Sequence, residues 1–404
     1  MKIITGIFGM ALLLSFGCKK ILPQAPESEE ILAEPIGGLT PEQLLLFARG
    51  DENFAHIFGK DEGLGPIFIQ TSCESCHTKD GKGTPFNSVT RFGKYNGTIW
   101  DVMEEHGGPQ LQHRAITGYM AETIPHNATN TQLIAPNVTG LGFFEYVSDA
   151  YLISISDSAD MDGDGISGRV HWVDPPPYFI PTATHISKNG KYIGRFGKKA
   201  SSVNLIQRVT DAYRDDIGIT TLNSPYDPIN YSVSSVAGDN IADPELPLST
   251  LHQTVFYMQT LKNPTRRDTD DLNVIEGENI FKSIGCDKCH KSAMKTGFSE
   301  IEVLNNKTFS PYTDLLLHDM GATLDDNYSE GTALSSEWRT PPLWGLGLQK
   351  NSQGGKLFLL HDGRATSIEQ AVTYHAGEAI VIRNNFLSLN SEEKHKLIKF
   401  LESL

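Results

Sequence analysis

Cysteine is scarce in this chain: there are five in 404 residues. So few thiols give no disulfide framework, so a bridge-stapled scaffold is excluded. Long apolar stretches are also lacking. Mean hydropathy is −0.27 and 39% of residues are hydrophobic, which excludes a multi-span membrane protein. Positive charge is in deficit, with 34 Lys and Arg against 49 Asp and Glu and a net charge of −15. Nothing here would neutralise phosphates along a stripe, so nucleic acid is not an expected partner. An acidic surface can still dock a basic protein. The length suffices for two or three domains, each with its own core.

What apolar sequence there is at the start follows Met1 and Lys2, from Ile3 to Gly17. This is shorter than the about 20 residues of a spanning helix. A positive start and an apolar middle read as a signal peptide over residues 1–17. Leu12 to Cys18 resembles a bacterial lipobox, with Gly17 before the cut and Cys18 after it. A lipidated Cys18 would hold a soluble body at a membrane surface. Residues 18–39, rich in Pro, Glu and Ala, then read as a flexible tether. The expected location is that of an exported bacterial lipoprotein, at the outer membrane or the periplasmic face of a membrane.

The other four cysteines fall into two identical patterns, Cys73-Glu74-Ser75-Cys76-His77 and Cys286-Asp287-Lys288-Cys289-His290. From this composition one C-x-x-C-H is expected about 0.002 times by chance. The pattern reads as c-type haem attachment. Thiols at i and i+3 share one face of a helical turn and can add to the two vinyl groups of one haem. The next residue, His77 or His290, then reaches the iron as proximal ligand. A zinc ribbon would place its two CxxC units about 15 to 20 residues apart, whereas these lie over two hundred apart. Two haem c groups are the expected cofactors.

Helical signals frame both motifs. Thr40 and Pro41 open a helix through Phe47, as N-cap and first helical residue. Leu251 to Leu261 reads as the helix that closes the first unit, ending before Pro264. Leu272 to Phe281 precedes the second motif, and Leu387 to Leu404 gives a capped closing helix. The expected fold is mainly α, with two cytochrome c-like domains at 40–265 and 266–404. The first carries a long irregular insertion with room for short strands.

Within the insertion, Asp160, Asp162 and Asp164 followed by Gly165 and Ile166 match the first half of an EF-hand loop over 160–171. Carboxylates at positions 1, 3 and 5 and the Ile166 carbonyl at 7 would wrap a hard cation, so Ca2+ is expected. Position 12 is His171, so another group would complete the shell.

Several longer motifs carry a family resemblance. They are Gly63-Leu64-Gly65-Pro66, Gly108-Pro109-Gln110-Leu111-Gln112, Asp162 to Arg169, Gly194 to Ala200, Trp338 to Gly347 and His361 to Ala365. Across nearly all the chain after residue 17, this resembles the di-haem oxidoreductase family, also labelled thiol oxidoreductases. That family is distantly similar to bacterial di-haem cytochrome c peroxidases. The resemblance implies redox chemistry at two haems. In those peroxidases a Met ligand to the C-terminal haem lies at a fixed offset from a His-Asp-Gly motif. Here that offset falls on His375, which is the expected partner of His290, with His318 and Met320 as rivals. His361 and Arg364 are expected near a haem, the Arg against a propionate. For the N-terminal haem, His106 and His113 flank the Gly108 motif and are the first candidates for second ligand, followed by His126 and Met120. If that position is open to peroxide instead, Glu105, Gln110 and Gln112 are the candidates for proton movement.

The expected function is peroxidase-like. Electrons would come from a small cytochrome or copper protein and pass to peroxide or another small oxidant. The alternatives are a non-catalytic electron carrier and a haem enzyme that oxidises a protein side chain. Trp100, Trp172, Trp338 and Trp344 are read chiefly as core residues, with an inter-haem role as the alternative.

Overall fold

The computed structural model describes residues 32–97, 99–233 and 238–404. The expected signal segment 1–17, Cys18 and most of the tether 18–39 lie outside these residues. Helices are α1 Pro41–Ala55, α2 Leu141–Glu145, α3 Asp149–Ser154, α4 Leu205–Ala212 and α5 Leu248–Thr260. They continue as α6 Leu272–Ser283, α7 Gln349–Ser352, α8 Ile368–Thr373, α9 Ile380–Ser388 and α10 Ser391–Ser403. No helix among the described residues is long and apolar enough to cross a membrane.

Local chemistry sets the helix ends. Thr40 accepts from the Gln43 N–H while Gln43 bonds back to the Thr40 N–H, a full capping box with Pro41 next. Asp271 caps α6 through the Asn273 N–H. The expected closing helix 387–404 is divided. Leu389 is extended, and Asn390 caps α10 by accepting from Glu392 and Glu393. An Asn with a Glu three residues on starts a helix more strongly than Leu387 to Leu389 can continue one.

Both CxxCH motifs sit in the same packing unit, built twice. Gly50 of α1 lies against α5, where an added Cβ would run into the Gln253 carbonyl. Gly277 of α6 lies in the same way against α10, where a Cβ would meet the Lys396 carbonyl. Each glycine lets two helix backbones cross at contact distance. Four residues on, Phe54 packs on Tyr257 at 5.4 Å and Phe281 on Phe400 at 5.2 Å between ring centroids. The same two rings flank the motif histidines, His77 at 5.9 Å and His290 at 6.4 Å.

Strands are short and the sheets small. β2 Val89–Tyr95 lies between β3 Trp100–Asp101 and β5 Thr129–Leu133. Two-stranded antiparallel pairs are β1 Ile67–Phe68 with β4 Arg114–Ala115, and β6 His171–Val173 with β7 Tyr192–Gly194. The others are β8 Met294–Lys295 with β9 Thr308–Phe309, and β10 Leu317–Asp319 with β11 Glu337–Arg339. The expected insertion thus holds strands, β2 to β7.

Two main cores serve the chain. The first gathers Phe144, Val209, Tyr213, Leu251 and Val255, and the second Val274, Phe281, Leu346, Phe386 and Phe400. Met294, Leu304, Phe309, Leu315 and Trp344 pack into the first core, although they follow residue 265. The segment after the second motif therefore crosses back over the expected domain boundary. Among the described residues one ion pair is wholly enclosed: Arg195 meets Asp149, and its Nη2 also donates to the Val147 carbonyl at 2.8 Å.

Candidate functional site

Each motif closes a tight turn. The His77 N–H donates to the Cys73 carbonyl at 3.0 Å, and the His290 N–H to the Cys286 carbonyl at 3.0 Å. Asn87 pins the first turn, its Nδ2 donating to the carbonyls of Ser75 at 2.9 Å and Cys76 at 3.3 Å. All four thiols are free of disulfides. Burial pushes Cys73, Cys76 and Cys286 up to about 12, and Asp216 adds to the rise at Cys73 and Cys76.

Burial also holds His77 and His290 down at about 4, so both rings are neutral near pH 7. Neutral imidazole is the form that binds iron. His290 uses Nδ1 against the Tyr312 carbonyl at 2.9 Å, which leaves Nε2 for a metal. No hydrogen bond closes on His77 Nδ1, although backbone acceptors at Pro136 and Gly81 favour its charged form.

His375 bonds the Ala371 carbonyl through Nδ1 at 2.9 Å, and its charge is felt at His290. In both rings Nδ1 is taken by a backbone carbonyl, which leaves Nε2 for a metal. The rivals are differently placed. His318 is buried with both nitrogens engaged, Nε2 on Asp314 at 2.9 Å and Nδ1 on Glu378 at 2.7 Å, and these carboxylates hold it well above its ordinary pKa. Met320 packs beside Leu324 and Trp338.

The structure leaves the candidates for a second ligand at the first haem on the surface. His106, His113 and His126 are exposed, and Met120 is 66% exposed. His106 instead faces Glu105 at 3.8 Å, and both are exposed. Three-residue helical geometry at 104–106 turns this acidic stretch outward.

Gln110 and Gln112 are buried. Their segment runs along β2, with Leu111 N–H on the Thr90 carbonyl at 3.0 Å, so alternate residues share one side. Gln110 Nε2 donates to Asp216 Oδ1 at 2.6 Å and Gln112 Nε2 to the Asp215 carbonyl at 3.1 Å. Asp215 and Asp216 lie in a π-helical turn, Tyr213–Ile217, that follows α4. Such widened turns often re-aim side chains at functional sites. Burial first, then Asp215, pushes Asp216 up to about 6. Neither Asp216 nor its turn is visible in the sequence motifs; an unbroken helical pattern through Tyr213 hides the extra residue.

His361 stacks on Trp338 at 3.9 Å and 6°. Its Nε2 is buried with no hydrogen bond. Arg364 is bound to Asp362 at 2.6 Å and to the Thr323 carbonyl at 2.9 Å, so its charge is already matched. Trp344 lies in the first core, stacked on Phe144 at 4.9 Å.

In the acidic loop, carboxylate oxygens of Asp157, Asp160 and Asp162 lie within 4.8 Å of one another. Asp164 instead meets Lys288 at 2.9 Å, and the Ile166 N–H donates to Asp164 Oδ1 at 2.9 Å. Asp157, upstream of the matched pattern, replaces Asp164 in the cluster.

The donors fit haem. Each turn offers two unbridged thiols and one neutral imidazole. His77, His290 and His375 are each half-buried.

No curated protein matches the chain. Among solved structures, hydrazine synthase of Kuenenia stuttgartiensis, pressurised with xenon, shares 13% identity over 95% of this chain and 96% of that one, with a TM-score of 0.41. A MauG-like protein associated with microbial copper homeostasis shares 12% over 95% of each chain, with a TM-score of 0.39. A family model described as "Di-haem oxidoreductase, putative peroxidase" matches residues 127–404. With that match spanning well over half its length, the chain belongs to the di-haem oxidoreductase family.

Proposed function

We propose that this haem-dependent oxidoreductase works on a small oxidant such as peroxide beside its first haem turn and receives electrons through its second. Cys73 and Cys76 would hold one haem and Cys286 and Cys289 the other. His77 and His290 would be the proximal ligands, and His375 the second ligand at the C-terminal haem. When bound, the haems would supply electron exchange with the oxidant and the donor.

One observation carries this reading: a half-buried carboxyl, Asp216, receives a hydrogen bond from Gln110 at 2.6 Å and acts electrostatically on both thiols of the first turn. Peroxide reduction consumes protons as well as electrons. A carboxyl titrating near 6 can take up and release a proton near neutral pH. Gln110 fixes its direction, and Gln112 ties the same turn to the β2 sheet. The surface positions of His106 and His113 agree with an open position at the first haem.

A net charge of −15 suits an electron donor with a basic face, a small cytochrome or copper protein. Ca2+ at Asp157, Asp160 and Asp162 would stiffen the acidic loop, and Cys18 would tether the protein to a membrane. The test is peroxide consumption with a reduced donor, alongside a haem count and EPR. Asp216→Asn should keep two haems and an unchanged spectrum, with kcat reduced about 10²-fold or more. Equal turnover in the variant would reject the reading. Two six-coordinate low-spin haems, inert to peroxide, would make the protein an electron carrier.

A further inference from the structure

Three cations, Lys82, Lys198 and Arg339, lie on segments that meet beside the first haem turn: the Gly83 N–H donates to the Ala135 carbonyl at 2.9 Å, the Ile134 N–H to the His361 carbonyl at 2.9 Å, and His361 stacks at 3.9 Å on Trp338, which precedes Arg339. Lys82 follows His77 by five residues, and its loop is held by Ser352 Oγ on the Lys82 carbonyl at 3.2 Å and Gln353 Nε2 on the Gly83 carbonyl at 2.7 Å. Lys198 lies in the loop after β7. Arg339 ends β11, and its backbone N–H donates to the Lys198 carbonyl at 3.0 Å. Among the described residues the guanidinium bonds carbonyls, Gly197 at 3.0 Å and Thr340 at 3.2 Å.

Each of the three side chains is half-buried. They also repel one another. Burial, then Lys82 and Arg339, press Lys198 well below its ordinary pKa. The charge of Lys198 is felt at His77 and at His361.

The nearby carboxylates are already engaged. Asp362, the anion acting on Lys82 and Lys198, is bound by Arg364 at 2.6 Å. Asp314, which acts on Arg339, is bound by His318 at 2.9 Å. Enclosed charge without a free counter-ion is strongly unfavourable. The cluster is therefore built for an anion that enters it. Planar guanidinium beside two ammonium groups suits carboxylates.

We propose that Lys82, Lys198 and Arg339 bind the propionate carboxylates of the haem attached at Cys73 and Cys76. This rests on the haem reading above and assigns the propionate contact to these residues in place of Arg364.

The test uses holo-protein whose content of two haems per chain is first established, so a failure of the haem reading is seen separately. Lys198→Gln and Arg339→Gln should each shift the propionate bending band in the resonance Raman spectrum. The pH dependence of one haem's reduction potential should also move to higher pH, because a carboxylate without its cation protonates more readily. Lys198→Arg should restore both, which a merely structural role would not require. Should Lys198→Gln fail to load haem, Lys82→Gln carries the same readouts. Fully loaded Gln variants with wild-type Raman bands and pH profile would overturn the proposal. So would a wild-type spectrum that responds to added inorganic phosphate when Lys198→Gln does not, because the cluster would then hold a free anion.

Discussion

Lys288 meets Asp164 at 2.9 Å, which joins the acidic loop to the turn between Cys286 and Cys289. The Lys288 hydrogen bond holds the Asp164 carboxyl below its ordinary pKa. The loop continues into Ser167, whose N–H and hydroxyl both donate to Glu378 at 2.9 and 3.0 Å. Glu378 also binds His318, beside Cys289. A cation held by Asp157, Asp160 and Asp162 would therefore act on the second haem turn through these contacts. Chelation should lower Tm and perturb the C-terminal haem spectrum. Asp162→Asn should show the perturbed values from the start and no further response to chelator. A chelator without effect on either readout would remove the cation from the account.

The C-terminal haem offers a sharper ligand test. His375→Ala should convert it from low spin to high spin in the EPR spectrum, with haem content unchanged. An unaltered low-spin signal would assign the position to another residue. Burial holds His290 down at about 4 and lowers His375 as well, so it favours the neutral form of both rings. The low-spin signal should therefore persist as pH falls from 7 to about 5.

The haem turns were legible because covalent attachment requires an invariant spacing, and the helix starts because Thr40, Asp271 and Asn390 act locally. The duplicated packing was legible only in part. Gly50 with Phe54 and Gly277 with Phe281 repeat one spacing before each motif, but their purpose depends on α5 and α10, which lie far along the chain. Asp216 was hidden for the same reason. Its bond from Gln110 and the Ile69 N–H on its carbonyl at 2.8 Å are both long-range, and a π-turn leaves no periodic mark. Arg364 shows the reverse case: the right residue type near the right motif, but matched by Asp362 two residues away.

Within the Gly194–Ala200 motif, Arg195 serves stability. Arg195 and Asp149 have no solvent exposure, and Asp149 also accepts from the Ile186 N–H at 2.6 Å. Removing one partner leaves a charge enclosed without its mate. Asp149→Asn should destabilise the fold by about 3–5 kcal/mol in denaturant unfolding. A loss below about 1 kcal/mol would mean that water or another group reaches Arg195.

Glu122 gives a pH prediction with a definite sign. Burial pushes its carboxyl up to about 8 against the hydrogen bond it accepts from the Gln112 N–H at 2.8 Å. Its Oε1 is buried with no hydrogen bond to a described group, which disfavours the ionised form. Folding thus favours the protonated carboxyl. That contribution is complete below the unfolded-state pKa and is lost as pH rises through about 8. Glu122→Gln preserves an oxygen acceptor for Gln112 and cannot ionise. Wild-type Tm should therefore fall more steeply between pH 6 and 9 than that of the variant, and the variant should be the more stable at pH 9. Parallel curves would show that Glu122 is already ionised at pH 6, with a partner that balances its charge.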